Sequence, residues 1–530
     1  MDWICHCRQH HRKTCSSRKD APAINLRLID CETLVVEPGR SESSYVALSY
    51  VWGSSAVCEQ YSLRPASGGT FALPCVLPAV ILDAIAVTKS LGFRYLWVDK
   101  FCIDQANSSA KHQQITQMDS VYEKAELTII AAAGVDETYG LPGAGSKPRS
   151  TQPFARVGGL TVLSTMRDAQ DSIRSSKWFT RGWTFQEALL TRRRLVFTEE
   201  QVYFECGAMS CSESFSASTE ALYNEWGATS PQYLRAGMFE RFGWQKFVGF
   251  RGRPGDTLNI FIRYLTAVED YTARELRYEQ DSLNAFAGII KKFERAREPI
   301  IQLWGIPTTT RRRELTERCF VEALCWGHSH SCWDSLLRPI RRPDFPSWSW
   351  AGWAGKVEYT KVSDPKSMVS QLPILQLSEW QQSILKAVVH VDISLESETG
   401  QIVELSDIAE SISIDRFSVA FARILRLEAS VFPPSSFSYD EKTGWKLLGL
   451  PAVMSLSQGP DSQFRLLEQL NKRDSSLLCI HVRDTGTIIF GLIIETRGRV
   501  SSRVGLVTAD RHNYAEPNYS LLEQRTFRIV

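Results

Sequence analysis

Apolar and polar positions divide the chain into stretches of different period. Between Ala23 and Cys206, strand-like and helix-like stretches alternate. Ile24–Ile29 reads as a first strand, and Tyr45–Tyr50 as a second that runs into Trp52-Gly53. After a Ser/Gly-containing loop, Pro78 suits the first position of a helix. Ile81, Ala84, Ile85, Thr88 and Leu91 form that helix's inward stripe, and Gly92 stops it. Arg94–Val98 is a third strand, followed directly by Asp99. A second helix is predicted over Lys111–Glu123, with Ile115, Met118 and Tyr122 inward, and Leu127–Ala133 is a fourth strand of the buried type. Gly134–Ser176, rich in Gly, Pro, Ser and charge, reads as a long loop with some local structure. A helix over Phe185–Leu190 and two strands, Leu195–Thr198 and Gln201–Cys206, end this region, with Glu199-Glu200 leaving room for a tight hairpin turn. Such alternation with short crossovers implies an α/β domain whose mostly parallel sheet is covered on both faces.

Beyond this region the period changes. Ser210–Ile340 is patterned as helices, most clearly over Tyr278–Ile290. Phe345–Trp353 alternates with period two and reads as a domain-closing strand that buries Trp348 and Trp350 on one face. From about Leu372 strands dominate, notably Ala387–Ile393, Leu477–Val482 and Thr487–Ile494. The expected organisation is an N-terminal helical segment (1–22), the α/β domain (23–207), a helical region (208–370) and a β-rich C-terminal domain (371–530).

Bulk properties narrow the classes. At 530 residues the chain exceeds one ordinary core. A net charge of +2 gives no electrostatic reason to expect nucleic acid or an anionic membrane. Arg192-Arg193-Arg194 is read as the end of a strand with solvated arginines. No apolar run follows Met1 as in a secretory signal, and Leu127–Val135 is too short to span a bilayer, so a cytoplasmic protein without a membrane span is expected. The 13 cysteines sit mostly singly, and Cys31, Cys102, Cys206, Cys325 and Cys479 lie within or beside apolar runs, as reduced buried thiols do. Near the N-terminus, Cys5, Cys7, His10, His11 and Cys15 invite a zinc reading. Their spacing matches no standard finger, whereas Cys7, His11 and Cys15 recur every four residues, as on one face of a short helix. No metal is therefore assigned.

Topology suggests where chemistry would sit. Open parallel sheets bind ligands beyond the carboxyl ends of their strands. Ser49–Gly53 leaves one strand at that edge, and Asp99–Asp104 leaves the next. Asp99 could bind ribose hydroxyls or a metal there, or could simply end its strand. Asp104 could do the same, or make a local turn or cap. Cys102, between Phe101 and Ile103, reads as a buried thiol. Ser49 lies in no Gly-x-Ser-x-Gly elbow, and there is no Walker loop or Gly-x-Gly-x-x-Gly fingerprint.

Three stretches together resemble a known family. Tyr45-Val46-Ala47-Leu48-Ser49-Tyr50-Val51-Trp52-Gly53 resembles the opening signature of HET (heterokaryon incompatibility) domains. Leu96-Trp97-Val98-Asp99-Lys100-Phe101-Cys102-Ile103-Asp104-Gln105 and Arg181-Gly182-Trp183-Thr184-Phe185-Gln186-Glu187 look like the second and third. Asp281–Ile289, Phe345–Trp353 and Arg525–Val530 also resemble stretches that often follow HET domains. The resemblance implies fungal non-self recognition with regulated cell death, a kind of innate immunity, and a TIR-like or flavodoxin-like fold. It also implies homotypic assembly, or other incompatibility or NLR-type proteins as partners.

HET domains are thought to be distant relatives of TIR domains, and NAD-cleaving TIR domains carry a glutamate in a Trp-Cys-x-x-Glu helix start. Trp183-Thr184-Phe185-Gln186-Glu187 has that separation, with Thr in place of Cys. The resemblance thus implies Glu187 as the candidate catalytic group of an NAD hydrolase. NAD would be a substrate and not a resident cofactor, and Ser49, Tyr50, Trp52, Gly53, Asp99, Asp104 and Trp183 would be binding positions. Trp52 or Trp183 would stack on the nicotinamide or adenine ring. The structural reading of Glu187 is a helix-dipole contact or a pairing with Arg181. The alternative function is a TIR-like scaffold without chemistry.

Overall fold

The computed structural model describes residues 1–16, 26–40, 43–53, 63–66, 69–164, 166–214, 238–239, 256–296, 298–310, 313–329, 339–360, 373–397, 400–411, 423–440, 442–457, 476–511, 519 and 522–530. The chain separates into two units. One comprises Met1–Phe250 and Asn284–Ile289, and the other Arg251–Leu283 and Ile290–Val530.

A ten-stranded sheet organises the first unit. In chain order its strands are β1 (Arg27–Asp30), β2 (Val35–Pro38), β3 (Tyr45–Ser49), β4 (Arg64–Pro65), β5 (Phe71–Ala72), β6 (Tyr95–Trp97), β7 (Leu127–Ala131), then β10 (Arg193–Phe197), β11 (Val202–Cys206) and β12 (Ser210–Ser212); β8 (Phe154–Val157) and β9 (Leu160–Leu163) form a separate hairpin. Across the sheet the order is β12-β11-β10-β7-β3-β6-β1-β2-β5-β4. The four central strands β10, β7, β3 and β6 are parallel. The flanking pairs are antiparallel. The sheet is therefore mixed and not mostly parallel. Short connections make the antiparallel pairs β1–β2, β10–β11 and β11–β12, whereas helical crossovers return the chain in parallel. Around Glu199-Glu200 the turn closes through Thr198 N to Gln201 O at 3.1 Å.

Every residue of β3, β7, β10 and β11 is buried, as expected of strands covered on both faces. The first crossover helix spans Ala79–Ser90 and ends ahead of Gly92, whose φ of +76° leaves the helical region. The second predicted helix divides into Ser108–Ile115 and Met118–Lys124, each short enough to pack separately. The motif-bearing helix starts earlier than expected, covering Gly182–Leu190 with eight residues buried.

The three arginines expected to be solvated are buried instead. Arg192 donates to Lys124 O and Ala125 O, Arg193 to Glu126 O, and Arg194 to Ala188 O, so main-chain carbonyls replace water. The segment Asn284–Ile289 belongs to this unit. Phe286 stacks on Phe185, and Gly288 N donates to Gln186 Oε1 at 3.1 Å.

The second unit joins helices to a large β-region. Helices cover Asp256–Thr272, Arg313–Leu324 and Pro373–Lys386, and the stretch read as helical also contains the hairpin Ile300–Leu303/Ile306–Thr309. Strands Ile424–Phe432, Leu477–Asp484, Ile488–Arg497, Val500–Asp510 and Glu523–Ile529 pair in a closed ring within an eleven-stranded sheet. Phe345–Trp353 is not a strand. It forms turns and a 3-10 segment, Trp350–Gly352, capped by Ser349. There the Trp348, Trp350 and Trp353 indoles donate to Arg423 O, Gly305 O and Ser347 O, and their burial leaves no ring face for a ligand. Among the described residues no helix is long and apolar enough to cross a membrane.

Candidate functional site

The parallel strand β3 ends at Ser49, and its register with β6 and β7 sets the start of the site. Ser49 Oγ donates to the Glu187 carboxylate and accepts Trp178 Nε1–H at 2.7 Å. The Tyr122 hydroxyl donates to Leu48 O at 3.4 Å and acts electrostatically on Glu187. Glu187 is the sixth residue of its helix, beyond the first turn in which a carboxylate gains from the helix dipole. Its orientation is set by the strand end it faces.

Asp99 opens the short helix Asp99–Cys102 just after β6. Its Oδ1 accepts Lys100 N at 2.7 Å and its Oδ2 accepts Trp52 Nε1–H at 2.9 Å. Asp99 and Glu187 act on each other electrostatically, and Arg181 acts on both while donating to Tyr50 O at 2.9 Å. Burial pushes Glu187 up to about 7 and Asp99 up to about 6. Their mutual repulsion raises Glu187 further, while Ser49 and Arg181 oppose the shift.

A second layer backs this cluster. Lys100 Nζ lies 2.9 and 3.0 Å from the two oxygens of fully buried Glu137, and 5.9 Å from the centre of the Trp52 ring. Gly53 packs against Glu137, which is anchored to the Ala79–Ser90 helix by Val80 N donating to Glu137 O. Thr184, where the TIR pattern has Cys, is buried and bonds to Trp178 O and Arg181 O at 2.7 and 2.8 Å.

The structure thus brings Ser49, Asp99, Glu187 and Trp52 together, with Tyr50 lending its carbonyl. Trp183 is half-buried one turn before Glu187. Asp104 is placed elsewhere: its Oδ1 accepts Ala106 N and Asn107 N, and its Oδ2 meets Arg27 at 3.5 Å. Cys102 is a buried thiol whose Sγ accepts Val98 N. The sequence reading missed Trp178, Glu137 and the Tyr122 hydroxyl. Trp178 and Glu137 lie outside the motifs, Glu137 in a stretch read as variable loop, and Tyr122 was read only as a core position.

Residues 45–187 match the family described as heterokaryon incompatibility protein (HET). A stretch of 127 residues is 27% identical to heterokaryon incompatibility protein 6, OR allele, of Neurospora crassa. That similarity covers 21% of this chain and 19% of the relative, so the chain spans about a fifth of the curated protein it matches. No solved structure matches.

Proposed function

We propose, from the premise that residues 45–187 of this chain form a HET domain, that the protein acts in heterokaryon incompatibility by cleaving NAD at the cluster of Ser49, Asp99 and Glu187. The domain match and the name of the Neurospora crassa relative support the biological role. The chemistry rests on one observation: Glu187, a buried carboxylate with its pKa raised to about 7, is held by Ser49 at the end of a central parallel strand beside Asp99.

Breaking the nicotinamide–ribose bond sends its electron pair to the pyridinium nitrogen, so nicotinamide leaves neutral without a general acid. Water then adds at the ribose carbon and loses a proton. A carboxylate titrating near neutral pH can take that proton, and in its ionised form it stabilises the oxocarbenium-like state. Asp99, presented beside Trp52, would orient the ribose hydroxyls, and the ring of Trp52 or Trp183 would stack on a base.

A second reading is favoured by burial. Glu187 is only 6% exposed, and its bond to Ser49 ties a helix to the sheet. In that reading the cluster is structural, and the domain signals in the cytoplasm by homotypic assembly or through NLR-type partners. The test follows NAD loss and nicotinamide release by the full chain, together with host viability, for wild type and Glu187→Gln. Folded Glu187→Gln is expected to lose about 10²–10⁴-fold in NAD consumption and to stop killing. Undiminished killing with NAD unchanged would select the scaffold.

A further inference from the structure

A second cluster in the first unit has no part in that chemistry. Cys7 lies on the helix Asp2–His10, His11 at the break that follows it, and Cys206 at the end of β11. One ligand atom from each lies within 4.8 Å of the other two, and all three residues are buried. Cys206 Sγ is 3.5 Å from His11 Nδ1. Cys15, buried on the short helix Arg12–Cys15, acts electrostatically on Cys7 and Cys206 and lies just outside that trio. The buried His11 Nε2 has no hydrogen-bond partner.

We propose that Cys7, His11, Cys15 and Cys206 form a structural zinc site. Tetrahedral zinc with Zn–S near 2.3 Å and Zn–N near 2.0–2.1 Å needs ligand atoms about 3.6–3.8 Å apart. The 3.5 Å from Cys206 to His11 already suits that edge, the rest of the trio lies within 4.8 Å, and Cys15 closes in from outside that limit to complete the set. With four protein ligands and exposures of 0–3%, no coordination position remains for water or substrate, which is the structural and not the catalytic arrangement.

Three thiolates around Zn²⁺ leave one negative charge, and the surroundings answer it. Arg193 Nε donates to Cys7 Sγ at 3.1 Å, while Arg193 and Arg192 both donate to Cys15 O, at 3.2 and 3.4 Å, holding the first layer in place. The three thiol protons leave to solvent as the metal enters. A disulfide would use two sulfurs and strand the third beside the imidazole, and a Cys–His nucleophile would need an access that this burial denies. Spacing along the sequence missed the site because its last ligand, Cys206, comes from a strand 195 positions after His11. The site would clasp both N-terminal helices to the edge of the sheet.

The test uses the full chain, purified under reducing conditions without chelator. Metal analysis is expected to find about one zinc per chain. Cys206→Ser and His11→Ala should lose it, whereas Cys102→Ser, at a buried thiol elsewhere, should keep it. Should the ligand variants fail to fold, wild type stripped by chelator and refilled with Co²⁺ should show thiolate-to-cobalt charge transfer and tetrahedral d–d bands. Wild type with neither stoichiometric zinc nor that cobalt spectrum would overturn the site. So would zinc retained in both ligand variants, or a disulfide among Cys7, Cys15 and Cys206 in freshly purified protein.

Discussion

The protonation of Glu187 links the site to stability. Burial raises its carboxyl from 4.5 to about 7, so between those values the folded chain holds a proton that the unfolded chain has released. The stabilising contribution is complete below 4.5 and is lost as pH rises towards 7, opposite to the behaviour of a salt-bridged carboxylate. Asp99, raised from 3.8 to about 6, acts with the same sign. Glu187→Gln stays neutral throughout. Relative to wild type it should therefore gain on the order of 2–3 kcal/mol as pH rises across that window. Denaturant melts of both proteins at the two ends of the window measure this, and a stability difference independent of pH would contradict it.

Among the elements, the Gly182–Leu190 helix connects the third motif to Asn284–Ile289. A Cβ on Gly288 would come within 2.7 Å of Gln186 Oε1 and Leu190 Cδ1 and within 2.8 Å of Asp119 Cβ. Gly288→Ala gains about 0.5–1 kcal/mol of helix propensity, and the overpacking costs about 1–3 kcal/mol. The net expectation is a lowered denaturation midpoint, and an unchanged or raised one would show that the contact yields. Elements such as Ala79–Ser90, Tyr45–Ser49 and Leu127–Ala131 were legible in the sequence, because an apolar stripe at helical spacing or a short, nearly unbroken apolar run is a property of neighbouring residues. Phe345–Trp353 was not. Its period-two tryptophans look like a strand, yet each indole N–H is satisfied by a carbonyl that only the folded chain supplies. The arginine run was misread for a similar reason, since burial with main-chain acceptors cannot be told from solvation by residue type.

For the whole molecule, the second unit contributes its own core, in which Trp348 is fully buried. Trp348 O accepts Trp326 Nε1–H at 3.1 Å, and its own N–H reaches Arg423 O at 3.1 Å. Trp348→Ala should cost about 3–5 kcal/mol, read by calorimetry as a lowered transition temperature. A loss below about 1 kcal/mol would mean that the site collapses around the cavity.

The sequence by itself determined which family signature the chain carries and that Ser49 ends a strand, Asp99 follows one and Glu187 stands on a helix, because these are properties of neighbouring residues. Ser49, Asp99 and Glu187 could be named from those motifs. Their company could not. Ser49 meets Glu187 across 138 positions and Trp178 across 129, Lys100 meets a loop glutamate, and His11 meets Cys206 across 195. Asp104, although in the second signature, turns to Arg27 and its own loop. Only the tertiary structure decided these pairings, because contacts of that range depend on strand order and crossover, which local period does not encode. Burial in turn decided the ionisation of the carboxylates, because the cost of a charge is set by what surrounds it in space.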